Sequence, residues 1–170
     1  MNWIVMLCVI LVSALAQMLL PALAGQMKFP FLMGAVLYYA LHRSAPMTGA
    51  AALLAGGMQD LLGATPLGLS VLLLLGMGLV AERFRKVVIT ESWLSLMIFG
   101  AGFGAAVSVG TGVFLQIAGL ASVRPSGLLV RAGGGLALGG LCTCAVARLA
   151  GALDAMAGNV SRKVEVHGVQ

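Results

Sequence analysis

Asp60 is the residue on which any chemistry in this chain has to turn. It stands in Gly56-Gly57-Met58-Gln59-Asp60-Leu61-Leu62-Gly63-Ala64-Thr65-Pro66-Leu67-Gly68, a stretch that leaves an apolar run, passes its one acid and enters a Gly/Thr/Pro turn. On a helix, Gly49, Ala52, Gly56, Asp60 and Gly63 step by three, four or seven residues and share one face. That face is small except for one carboxylate. Small faces let membrane helices approach closely, and a carboxylate inside a membrane needs a partner or water. Thr65-Pro66 breaks the helix, because proline lacks an amide hydrogen and restricts the residue before it.

Catalysis needs more than one acid: a nucleophile, a base or a metal set must stand beside it. Asp60 has no second acid near it in sequence, and His42 and His167 both lie outside the apolar runs, where a solvated or interfacial histidine is the simpler reading. There is no His-Glu-x-x-His, no Gly-x-Ser-x-Gly and no phosphate loop. Cys8, Cys142 and Cys144 all lie in apolar runs and read as small hydrophobes. Cys142-Thr143-Cys144 lacks the Cys-x-x-Cys spacing of redox or zinc sites. The expectation is a non-enzyme without cofactor or metal.

The elements that position Asp60 are set by composition. Of 170 residues, 61% are hydrophobic and 9% charged, whereas a soluble domain carries about 25% charged residues. The reading is an all-α integral membrane protein. Ten Lys/Arg stand against five Asp/Glu, a net charge of +5. The basic residues sit at the ends of apolar runs, so they set topology and do not point to nucleic acid. Ala22-Leu23-Ala24 has the form of a signal-peptidase site. However, no basic residue precedes the apolar run over 3–20, and that run exceeds the roughly 7–15 residues of a signal core, so an uncleaved first membrane helix is expected.

Six helices are predicted, over about 3–23, 29–41, 47–63, 67–81, 93–118 and 126–150. Residues 1–153 form the membrane domain and 154–170 a short polar tail. The second run is shorter than the roughly 17–25 residues of a full crossing. Either Lys28 snorkels and lengthens it, or it sits inside the bundle. Glu82 is placed to pair with Arg85 or Lys86 at helical spacing. With six crossings, one side collects Arg43, Arg83, Arg85, Lys86, Arg148, Arg162 and Lys163, and the other Lys28, Arg124 and Arg131. That bias puts both termini in the cytoplasm. A five-crossing arrangement with a re-entrant second run is the alternative.

At matching depth, Asp60 and Arg131 both fall about 8–9 Å below the outer surface at 1.5 Å per residue. They can pair, with Arg124 the next candidate. Alternatively Asp60 reaches a water-filled notch or caps local backbone, while Arg131 snorkels outward. The last two helices carry small-residue ladders, Gly100, Gly104, Ser108, Gly112 and Gly135, Gly139, Thr143, Ala147, Gly151. Such ladders permit close packing, here expected to be mostly within the bundle.

Over residues 49–86 the chain resembles the rod-shape-determining MreD family. The likeness lies in a Gly-x-x-x-Asp-Leu-x-x-Gly-x-x-Leu-Gly pattern, matched here by Gly56, Asp60, Leu61, Leu67 and Gly68 around Pro66, with the middle glycine one position early at Gly63, and in the basic segment Arg83, Arg85, Lys86 after the fourth helix. Elsewhere the likeness is one of length and helix pattern. The resemblance implies a non-catalytic subunit of the bacterial cell-elongation complex in the inner membrane. Its partners would be an MreC-like bitopic membrane protein and, less directly, the actin-like MreB, the glycosyltransferase RodA and a class B penicillin-binding protein, organising side-wall peptidoglycan synthesis. It also implies a helical arrangement similar to the substrate-binding subunits of energy-coupling-factor vitamin transporters. Membership of that transporter class is the competing reading, but it needs a pocket with convergent polar and aromatic groups. Aromatic residues make up only 6% of the chain.

Overall fold

A computed structural model describes residues 3–19, 30–63, 66–85, 93–119, 125–156 and 158. Within it the second apolar run, Phe31–His42, is the axis of the molecule. Every residue from Leu32 to Leu41 is buried. We number the helices α1 Trp3–Leu19, α2 Phe31–His42, α3 Ala45–Leu62, α4 Leu69–Phe84, α5 Trp93–Ile117 and α6 Pro125–Met156. The described residues contain no strand. The other five helices all touch α2 and close a ring around it in the order α1, α3, α4, α5, α6 and back to α1. The short second run is therefore explained by its place inside the bundle. A helix with apolar neighbours on every side has no polar face, and its sequence is apolar all round.

Helix ends meet in an up-and-down pattern. Gln17, near the end of α1, accepts from the backbone N–H of Leu32 at the start of α2 (3.3 Å). The far end of α2 meets the late part of α6 through Tyr38 and Asp154. Trp93 opens α5 beneath Arg148 of α6, and Gly112 late in α5 faces Leu128 early in α6.

The two ladders meet each other. A Cβ on Gly104 would collide with the carbonyl oxygen of Gly135, and one on Gly139 would lie 2.5 Å from the Gly100 oxygen. Real Cβ atoms do not approach so closely, so these glycines set the separation of α5 and α6. The expectation of packing within the bundle is met there. Gly151 has open space beside it and takes no part.

The expected end of α1 at residue 23 lies outside the described residues, and two other boundaries differ from the sequence expectation by more than two residues. The polar tail was expected from 154, but α6 continues to Met156 with Asp154 buried. Hydrogen bonds to that carboxylate hold the extra turns in place. α4 also runs past Ala81 to Phe84, taking Glu82 and Arg83 into its last turn. Arg85 does not pair with Glu82 and donates to the Arg43 carbonyl oxygen at 2.7 Å. Lys28, Lys86, Arg124 and residues 159–170 lie outside the described residues.

Large apolar side chains cover much of the exterior. Ile4, Leu15, Leu61, Leu72, Leu94, Ile98, Leu129 and Val130 are all more than half exposed. Monomeric soluble proteins rarely show apolar surface on such a scale. Two helices, α5 and α6, are long and apolar enough to cross a membrane; α1 and α2 are shorter apolar helices.

Candidate functional site

The described residues between Gly56 and Ser70 join α3 to α4, and Gly56, Asp60, Gly63, Pro66 and Gly68 each have a physical task in that joint. Gly56 faces Val71 on α4, and a Cβ on it would sit 2.5 Å from the Val71 Cα. Only glycine lets the backbones come this close. One turn later Asp60, 3% exposed, reaches across the turn. Its Oδ2 accepts from the Gly68 amide at 2.6 Å and its Oδ1 from the Ser70 amide at 3.1 Å. The first amides of a helix have no partner within it, and the helix dipole favours negative charge there. Asp60 is thus the cap of α4, supplied from the end of α3.

The turn is built to make that reach possible. Gly63 closes α3, its amide donating to the Gln59 oxygen at 2.9 Å. The Pro66 carbonyl accepts from the Leu69 amide at 3.2 Å. Gly68 has φ 96°, a left-handed conformation that costs an L-residue energy and glycine none. It aims the Gly68 and Ser70 amides back at Asp60.

Of the alternatives open for Asp60, backbone capping is realised among the described residues. Arg131 is not its partner. It is exposed on α6, its guanidinium stem beside Gly112 of α5. The reason is ring order: α3 and α6 do not touch, because α1 and α2 lie between them. Equal depth in the membrane does not bring two side chains together when their helices stand apart.

A second polar cluster sits at the opposite end of the bundle. Asp154 Oδ2 accepts from Arg43 Nη2 at 2.8 Å and from the Tyr38 hydroxyl at 3.0 Å. Between described residues this is the one ion pair. His42 stacks on Tyr38, ring centroids 4.5 Å apart, and its Nδ1–H donates to the Tyr38 carbonyl at 3.0 Å. Arg85 joins α4 to the cluster through the Arg43 carbonyl. Arg83 and Arg85 are exposed. The guanidinium of Arg148 lies 4.4 Å from the Trp93 ring centroid, a cation–π contact. Sequence reading overlooked Arg43 with Asp154. The available signal was that both fall on the same side of a six-crossing topology.

No family model, no curated protein and no solved structure matches the chain. Its geometry has to speak for itself. Among the described residues no group of three His, Cys, Asp or Glu side chains is placed to hold a metal ion. The interior cavity lined by Met33, Val36, Leu37, Leu74, Met77, Gly78 and Phe103 has a volume of about 10 Å³. A wider groove of about 390 Å³ opens on the outside of α5 and α6, lined by Leu94, Met97, Ile98, Ala101, Leu136, Ala137 and Gly140. What this arrangement does chemically is hold helices: two clusters of charge at opposite ends fix an otherwise apolar bundle.

Proposed function

We propose that the chain is a six-crossing protein of the bacterial cytoplasmic membrane, with both termini in the cytoplasm, acting as a non-catalytic subunit of the cell-elongation complex. The observation that carries this reading is the Gly56–Asp60–Gly68 hairpin. The residues of the MreD-like pattern converge on one joint that shapes a bundle face, which is what an interaction subunit requires. The apolar exterior and the alternating helix directions support the membrane arrangement. The Arg43, Arg83, Arg85 and Arg148 end corresponds to the cytoplasmic side.

In this reading the protein docks an MreC-like bitopic membrane protein and through it serves MreB, RodA and a class B penicillin-binding protein. The competing role, vitamin capture for an energy-coupling-factor transporter, requires a ligand chamber. Ligand pockets run to roughly 300–1,000 Å³ and carry a few convergent polar groups; the cavity at Met33 and Leu74 is about 10 Å³, and the groove of about 390 Å³ on α5 and α6 is open and lined by apolar residues alone, which favours the interaction subunit. The test is affinity capture of the tagged protein from mild detergent. Recovery of an MreC-like protein is the expected result; recovery of a transporter ATPase module would overturn the assignment.

A further inference from the structure

The ring around α2 is lopsided in height. α3 and α4 contain 18 and 16 residues, whereas α5 and α6, which follow them in the ring, contain 25 and 32. At 1.5 Å per residue these are about 27 and 24 Å against about 37 and 48 Å. A bilayer's hydrocarbon core is about 30 Å thick. One flank is shorter than the membrane and the other longer.

Long and short helices answer mismatch differently. A long helix absorbs its excess by tilting, but a short one cannot stretch, and thinning of the lipid beside it is one way the mismatch is relieved. The α3–α4 flank is also locked at both polar ends. At one end Asp60 is held on the Gly68 and Ser70 amides, and Gly56 packs against the Val71 backbone. At the other, Arg85 is held on the Arg43 carbonyl and Arg43 on Asp154. From Ser70 to Arg85 the rise is about 22 Å. Neither helix can slide to gain height without breaking these bonds. Between the two ends the surface is greasy, with Leu72 and Leu79 exposed at 73% and 55%, so it must be covered by acyl chains.

We propose that the α3–α4 flank is a membrane-thinning surface whose occupant is lipid, with acyl chains shorter than those on the α5–α6 side. This inference rests on the membrane reading above. It gives the protein a second role, as a local marker of thin bilayer beside which short lipid chains gather.

The experiment places single nitroxide labels at Leu67, just before α4, and at Phe84, its last residue, in a Cys-free background of the full chain. The protein is reconstituted in di-18:1 phosphatidylcholine vesicles. Flotation with the vesicles is checked first. Both labels are then probed with a water-soluble paramagnetic relaxant. Access at both ends at once is the expected result, since the bilayer must then span only the length of α4. Protection of either label in floating vesicles overturns the thinning proposal and leaves the membrane reading intact. Failure to float overturns both. Thermal unfolding of the unlabelled protein gives an independent measure. Its midpoint is expected to be highest in di-14:1 vesicles and lower in di-18:1 and di-22:1. An optimum at di-18:1 or longer overturns the proposal.

Discussion

Arg43 and Asp154, on segments more than a hundred residues apart, meet at 2.8 Å with their side chains 18% and 10% exposed. The same carboxylate oxygen takes the Tyr38 hydroxyl, so one acid ties the end of α2 to the last turns of α6. Hydrogen bonds to charged groups contribute about 1.5–3 kcal/mol each. Asp154→Ala is expected to lower stability by about 2 kcal/mol, read as thermal or denaturant unfolding in detergent. Arg43→Ala is expected to cost a similar amount, and the double variant less than the sum, because neither charge is then left without its partner. Strictly additive losses would remove the pair from the account.

The glycines of α5 and α6 differ sharply in what surrounds them. Gly104→Leu or Gly139→Leu drives a side chain into the facing backbone and is expected to abolish folded protein in detergent. Gly102 and Gly133 have open space beside them, so the same change there is expected to leave the fold within about 0.5 kcal/mol of the parent. Size-exclusion profiles of the four variants make the comparison. Equal behaviour in all four would mean that close approach of the helices is incidental.

Asp60→Ala leaves the Gly68 and Ser70 amides without their acceptor, and is expected to cost about 2 kcal/mol, the upper end for loss of a helix cap. Asp60→Asn keeps an acceptor and should recover part of the loss. Arg131→Ala should lie within about 0.5 kcal/mol of the parent. The Asp60/Arg131 double variant should be additive within about 0.5 kcal/mol, because the two residues share no contact. Coupling larger than that would restore the charge pair suggested by sequence alone.

Topology can be read with single cysteines at Ser92 and Ser122 in a Cys-free background. With cytoplasmic termini and six crossings, a membrane-impermeant thiol reagent applied to intact cells should label position 122 and leave 92 untouched until the cells are opened. Labelling of both from outside would contradict the six-crossing arrangement.

The helices themselves are legible in the sequence, because apolar runs and Gly/Pro breaks are local features. All six starts fall within two residues of the structural ones, and the small-residue faces of α5 and α6 are visible as four-residue repeats. Local pattern also marks Asp60 as unusual. Which groups satisfy Asp60 is decided by tertiary structure: the left-handed Gly68 turns two amides of α4 back toward it, while ring order keeps Arg131 away. The same holds for Asp154, which a composition-based reading assigns to a polar tail and the fold buries on Tyr38 and Arg43. The place of α2 follows this rule too. Its sequence says that it is short and apolar, but only five helices packed around it put it at the centre. Periodicity along a chain reports which side of a helix is small, apolar or charged. It carries no information on which helix stands opposite, and the partner of a buried charge is fixed by that neighbour.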